Sequence, residues 1–306
     1  MILLRRAAVM IFYWLLCWPP AHAAQPPSAA LSAQTFKRWE RAAARLQETA
    51  LGRRLIVETK DVLLRENPGS AGSASVRYVR REGPMLLFCP QRLKALGDAE
   101  LELALVRELS RAGANLPIPL AEGEMAAYQA ELEYAMDRAA TDEAFSRRLR
   151  RAYGQAQNSV EAVEAEQRRV KALLPEGERL DLPPLKIPSG EFERLGLYIF
   201  LFVRDPDEFY WAVEQGLRRG PATIRLAELE DFMERYGPDF GSARLGPGGH
   251  YARVNGRRYP PALLEAARGL VESGGLARIR EALGSFEIAR APALKIKVNA
   301  WVRNAP

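Results

Sequence analysis

The stretch that decides the fold runs from residue 85 to residue 131. It opens Met85-Leu86-Leu87-Phe88-Cys89-Pro90, continues Asp98-Ala99-Glu100-Leu101-Glu102-Leu103-Ala104-Leu105-Val106-Arg107-Glu108-Leu109-Ser110-Arg111, passes through Leu116-Pro117-Ile118-Pro119-Leu120, and resumes Glu122-Gly123-Glu124-Met125-Ala126-Ala127-Tyr128-Gln129-Ala130-Glu131. The first piece is an apolar strand broken by proline. The second predicts a helix capped by Asp98, with Leu101, Leu105 and Leu109 on one face and Gly113 as its stop. The third is a proline-rich loop, and the fourth begins a helix reaching about Ala139. Strand, turn, helix, loop and helix in that order predict an α+β unit.

Working outward, Phe36, Trp39, Ala43, Leu46 and Ala50 recur at helical spacing, so Phe36 to Leu51 reads as one amphipathic helix. Leu55 to Leu64, Ser75 to Arg80 and Met85 to Cys89 read as strands, and their short connections predict a small, mostly antiparallel sheet. Asp142 to Leu174 predicts a long charged helix, too short in its apolar repeat for a coiled coil. Pro175 to Pro188 reads as a proline-rich linker. Beyond it Glu191 to Val203, Pro206 to Leu217 with Asp205 as cap, Ile224 to Tyr236, Pro260 to Glu272 and Leu276 to Leu283 read as helices. Residues 237–256 read as loop, and Leu294 to Val302 as a strand or a helix.

The ends and the composition set further bounds. Arg5-Arg6, the apolar run Ala7 to Trp18 and Ala21-His22-Ala23 form the three parts of a secretory signal, with cleavage expected near Ala23. Twelve apolar residues ended by Pro19-Pro20 fall short of the roughly 20 that a spanning helix needs. The expected division is therefore a signal peptide (1–23), a flexible leader (24–34), an α+β domain with a long helical arm (35–174), a linker (175–188) and a mainly helical C-terminal half (189–306). The expected location is periplasmic or extracellular, with no integral span after cleavage. The whole chain has 306 residues with 44 Lys+Arg, 38 Asp+Glu, 2 Cys and 2 His. Without residues 1–23 it keeps one thiol, Cys89, one imidazole, His250, and a formal charge of +4. One thiol and one imidazole cannot build a zinc ribbon, an iron–sulfur cluster, a His-rich metal site or an internal disulfide.

Residues 36–136 resemble the core of small gluzincin-type zincin metallopeptidases, in which a strand precedes a helix carrying two histidines around a glutamate and a later helix adds a glutamate ligand. The resemblance implies a zincin-like N-terminal domain, with Glu108 at the position of the general base and Glu124, or less closely Glu131, at that of the later glutamate. The histidine positions at i and i+4 hold Arg107 and Arg111. A guanidinium keeps its proton and has no lone pair to offer, so neither residue can bind zinc. The resemblance therefore implies a non-catalytic, metal-free relative with Glu108 vestigial, no cofactor, and a binding or scaffolding role. Its binding candidates are Arg107, Arg111 and Glu124. In a closed cleft these groups form a structural ion network; in an open one the arginines can receive a carboxylate or phosphate; on a solvated helix they are only i,i+4 charge spacing.

Other residues carry weaker chemistry. His250 in Gly246-Pro247-Gly248-Gly249-His250 is either a general base delivered by a flexible loop or an idle surface imidazole. The acidic sets Glu122/Glu124, Asp205/Asp207/Glu208 and Glu228/Glu230/Asp231 keep open an alternative, a carboxylate-dependent hydrolase with a cleft between the halves. Phe192, Tyr198, Phe200, Phe202, Phe209, Tyr210 and Trp211 read as core of the C-terminal half. Basic clusters at Arg77/Arg80/Arg81, Arg147/Arg148/Arg150/Arg151 and Arg257/Arg258 suit an anionic envelope ligand better than nucleic acid in an exported chain. The expected partner is a protein or such a ligand.

Overall fold

The structure is a computed structural model and describes residues 29–67, 74–80, 83–116, 118–173, 186–217, 224–236, 244–245, 252–254, 257–273, 275–285 and 291–304. The signal segment, the first part of the leader (24–28) and most of the proline-rich linker lie outside these residues, as does His250, while the rest of the leader is structured as a short strand, a helix cap and the first helical residues. Within them the chain is mainly helical with a small mixed sheet, an α+β fold. No described helix is long and apolar enough to cross a membrane.

The N-terminal helical segment divides. Ser32 caps α1 (Ala33–Leu46), its hydroxyl accepting from the Thr35 amide. At Thr49 a second cap accepts from the Gly52 amide at 3.0 Å and starts α2 (Ala50–Glu58). Gly52 permits the corner, since a Cβ there would meet the Leu46 carbonyl oxygen at 1.9 Å. The strand expected from Leu55 is corrected: Leu55 to Glu58 belong to α2, because Leu51 and Leu55 share a buried helical face, and β2 begins only at Leu63.

Four strands form the first sheet: β1 (Ala29–Ala30), β2 (Leu63–Glu66), β3 (Val76–Arg80) and β4 (Pro84–Phe88), in the order β1-β2-β4-β3. The β1–β2 and β3–β4 pairings are antiparallel, while β2 and β4 run parallel with Leu64 opposite Leu86. The β3–β4 hairpin folds back, so that β4 inserts between β2 and β3. Register places Val76, Phe88 and Leu86 on one face, and all three are buried.

That face meets α4 (Asp98–Ala114), which follows the short α3 (Pro90–Leu93). Both predicted ends of α4 shift. Gly97 occupies the cap position and Asp98 the first helical one, where its carboxylate faces Arg38 and Arg41. The helix runs past Gly113 to Asn115, whose φ of 46° closes it in the left-handed region that asparagine tolerates. α5 (Ala121–Thr141) packs along α4, and Asp142 caps α6 (Glu143–Lys171).

α7 (Glu191–Arg204) lies parallel to α6: Arg148 stands over the Phe192 ring at 4.3 Å, Tyr153 meets Phe200, and Glu164 meets Arg204. Gly196 sets their closeness, because a Cβ at that position would lie 2.5 Å from the Ala152 carbonyl carbon. α8 (Pro206–Leu217) turns back at Asp205, which accepts from the Asp207 amide. The first core unites the sheet, α1, α2 and α4–α8, together with Leu294 and Val298 of the last helix, α12 (Ala291–Arg303). Thus Leu294 to Val302 is helical, and α7 and α8 share one core with α4–α6.

A second core stands apart. It joins Ile118 and Leu120 of the α4–α5 loop to Ile224, α9 (Leu226–Tyr236), α10 (Pro261–Ser273) and α11 (Leu276–Ser285). Leu120 and Ile224 form a parallel bridge, and Glu122 accepts from the Leu226 amide with both oxygens at 3.1 Å. The region read as loop contains two strands, β5 (Arg244–Leu245) and β6 (Ala252–Val254), and a third, β7 (Arg257–Tyr259), follows directly after it; the three pair antiparallel in that order. Asn255-Gly256 between β6 and β7 is a hairpin signal that a reading based on glycine content overlooks.

Candidate functional site

Arg107, Glu108 and Arg111 project from the C-terminal half of α4, the helix enclosed by the sheet, α5 and α7. A charged group in such a place must find partners, because desolvating it alone costs far more than a surface pair returns. Arg107 is 6% exposed and donates to Glu131 of α5 at 3.1 and 3.2 Å, and to Glu191 of α7 at 3.0 and 3.4 Å. Arg194 of α7 donates to the same Glu131 at 3.0 Å and to Glu191. Arg111 donates to Glu108 and to Glu124 of α5. Glu108 also accepts the Tyr78 backbone amide of β3 at 2.8 Å, and the Arg107 Nε lies 3.5 Å from its carboxylate.

Three guanidinium groups and four carboxylates thus bind α4, α5, α7 and the outer strand of the sheet into one cluster. Burial alone would lower the pKa of each arginine. Glu131 and Glu191 overcome that effect at Arg107, and Glu108 and Glu124 overcome it at Arg111, so both are raised above the ordinary arginine value. At Arg194 burial and the neighbouring Arg107 act downward, yet Glu131 and Glu191 leave the net shift upward. Burial would raise Glu191, but Arg107 and Arg194 hold it down at about 2. The ring of Tyr128 lies 5.7 Å from the Arg107 guanidinium carbon and 5.9 Å from that of Arg194, adding a cation–π contact on each side.

The structure therefore brings Arg107, Glu108, Arg111 and Glu124 together. Arg107 pairs with Glu131, the less closely matched glutamate, and Arg111 with Glu124. Glu108, 2% exposed, accepts from Arg111 with one oxygen and from the Tyr78 backbone amide with the other, an arrangement that anchors an outer-strand amide. Zinc does not fit these residues: two of its implied ligand positions carry donors without lone pairs. Among the described residues no group of three or more His, Cys, Asp or Glu is placed to hold a metal ion.

The remaining candidates are dispersed. Cys89 is a buried thiol at the end of β4. Glu122 and Asp205 serve as helix caps, Glu208 pairs with Arg204, Glu230 with Arg280, and Asp231 with Arg235 at 2.7 Å. Among the described residues, the carboxyl groups with displaced pKa values besides Glu191 are Glu66 and Glu166. At Glu66 burial acts upward, but hydrogen bonds with Ser32 and Thr35 leave it low, and Arg169 lowers Glu166. These shifts are opposite to what a general acid needs. Phe192, Tyr198, Phe200, Phe202 and Phe209 are buried in the first core, whereas Trp211 is 42% exposed. Arg147 meets Glu143, Arg148 meets Glu100, and Arg150 stands over Trp301.

Two features escaped the sequence reading. Glu191 and Arg194 complete the cluster from far along the chain, and their only signal was an arginine on the apolar side of Glu191-Phe192-Glu193-Arg194-Leu195. A second buried cluster centres on Glu102, fully enclosed between Leu101 and Leu103. It accepts from the Tyr134 hydroxyl at 2.8 Å and from Arg45 at 3.2 Å, with Arg138 beside it.

With this geometry in view, the chain was compared with protein families, curated proteins and solved structures. None matches it significantly. The cluster's own chemistry is that of a mostly buried ion network in which every guanidinium meets a carboxylate, while the Nε atoms of Arg111 and Arg194 are buried without a hydrogen-bond partner.

Proposed function

We propose that this chain is an exported, non-catalytic relative of the gluzincin-type metallopeptidases that acts as a binding or scaffolding protein. In this reading the N-terminal unit is zincin-like, and an ion network occupies the place where that family holds its metal. One observation carries the proposal: Arg107 and Arg111, at the two histidine positions, each pair with carboxylates of the chain itself, and Glu108 is consumed in the same network. Guanidinium–carboxylate pairs supply the cross-linking that a metal would otherwise provide between α4 and α5. They supply neither a Lewis acid nor an activated water.

Elemental analysis of the purified protein, together with a broad peptide-hydrolysis assay, tests this. The expected result is no stoichiometric transition metal and no turnover that a chelator abolishes. One zinc per chain with chelator-sensitive proteolysis would overturn the proposal. Export is tested separately by N-terminal sequencing of protein recovered outside the cytoplasm, which should begin at Ala24.

A further inference from the structure

The helix α12 carries apolar side chains on two opposite faces. Leu294 and Val298 are buried in the first core, where the helix rests on α5 and α7. At about 100° per residue Ile296 falls opposite them, with Ala293 and Ala300 a turn before and after it on the same side. All three are exposed, and Ile296, at 72%, is as open to solvent as any large hydrophobic residue among the described ones. The fold covers one apolar face of α12 and leaves the other bare.

The charges around this stripe point to its partner. From residue 288 to residue 306 the chain has no acidic residue. Lys295 and Lys297 border the stripe on its two sides, and Arg303 lies at its C-terminal end. Lys297 binds Asp137 of α5 and so neutralises the acid on that flank, and further along Arg150 of α6 stands over the Trp301 ring at 4.4 Å. Among the described residues Lys295 and Arg303 meet no carboxylate. Like charge opposes pairing with a second copy through this face, and a ridge facing outward offers a protein partner no groove. A flat surface of fixed negative charge suits both features: headgroups answer the cations, and the boundary of the acyl chains takes the isoleucine. We infer that α12 docks on an anionic phospholipid bilayer, its axis in the plane of the surface and its Ile296 stripe at the headgroup–acyl boundary. The contact is peripheral and runs along about 20 Å of helix. It gives the binding role proposed above a partner class without resting on the Arg107 cluster, and its failure would leave the metal-free reading intact.

Flotation of the purified chain from Ala24 onward with phospholipid vesicles tests this. That form keeps every described residue and lacks the apolar run 7–18, which would itself enter lipid. The expected result is binding to vesicles of phosphatidylglycerol mixed with phosphatidylcholine, weakening as salt rises, and none to phosphatidylcholine alone. Ile296→Asp should reduce the binding at least about tenfold and Arg303→Gln about fivefold. Val271→Asp makes the same charge change at an exposed residue of α10 in the second core, and should leave binding within about twofold of the parent. The three variants should melt with the parent because the altered residues are exposed; Ile296→Gln serves if Ile296→Asp does not fold. Equal binding to phosphatidylcholine, full binding by Ile296→Asp, or a loss in Val271→Asp matching that in Ile296→Asp would overturn the inference. Absence of vesicle binding would overturn it too, and a dimer that Ile296→Asp abolishes would then give the stripe to a second copy.

Discussion

At the scale of single residues, the Arg107 cluster shows how a charge is kept inside a core. The Arg107 guanidinium answers two carboxylates, Glu131 and Glu191, while each of those answers a second guanidinium, Arg194. Deleting one member strands the others. Arg107→Ala removes a donor from Glu131, which is fully buried, and should cost about 3–5 kcal/mol in thermal or chemical unfolding. A solvated helix face predicts less than about 0.5 kcal/mol for the same change. A double variant, Arg107→Met with Glu131→Gln, should recover part of the loss, since it removes both members of the buried pair. Loss of less than about 1 kcal/mol in Arg107→Ala would mean that the network contributes little. The residue types of this cluster were legible in Arg-Glu-x-x-Arg, whose four-residue spacing puts both arginines on one face. Glu108 and Glu124, the partners of Arg111, were legible with it, and Glu131 was named as the less closely matched glutamate, whereas Glu191 and Arg194 were not legible, because they reach the cluster from α7 and no local pattern distinguishes them from surface charges.

At the scale of elements, helix types and positions were mostly readable, whereas junctions were not. Amphipathic spacing gives α4, α5, α6 and α8 nearly their full lengths. The apolar run Leu55-Ile56-Val57 misleads because β-branched residues favour strands, yet Leu51 and Leu55 bury a shared helical face and tertiary packing wins. Glycines test how closely elements approach. Gly196 lies where α7 touches the α6 backbone, and a methyl group there meets Ala152 and Tyr153 backbone atoms at 2.5–2.7 Å, contacts that no side-chain rotation relieves. Gly196→Ala should therefore destabilise by about 2 kcal/mol or more, as overpacking does. Gly154, also helical, has nothing within 4 Å of its built Cβ, and Gly154→Ala should stabilise by up to about 1 kcal/mol through helix propensity. Chemical denaturation of the two variants reads opposite signs from one substitution type. The same sign in both would show that α6 and α7 do not pack as closely as described.

At the scale of the whole molecule, two cores meet at the α4–α5 loop, where Leu120 joins Ile224 and Glu122 caps α9. The chain passes from the first core into the second and returns through α12, a path no sequence window reveals, because Leu294 and Val298 resemble any short apolar pair until α5 and α7 are beside them. Glu191 ties the later part of the first core to the earlier part, and this makes the assembly sensitive to acid. Its carboxyl titrates at about 2 in the folded protein and at about 4.5 when ordinary, because burial is outweighed by Arg107 and Arg194. A folded value below the unfolded one means that the unfolded chain binds the proton first. The stabilisation is complete above about pH 4.5 and disappears as pH falls toward 2, amounting to at most about 3 kcal/mol. Unfolding free energy measured across that window should fall steeply in the parent chain. In Glu191→Gln it should start lower at neutral pH and decline less on acidification, since the titrating group is gone. An acid limb of unchanged steepness in Glu191→Gln would place the proton-linked loss elsewhere and remove Glu191 as the clasp between α4 and α7.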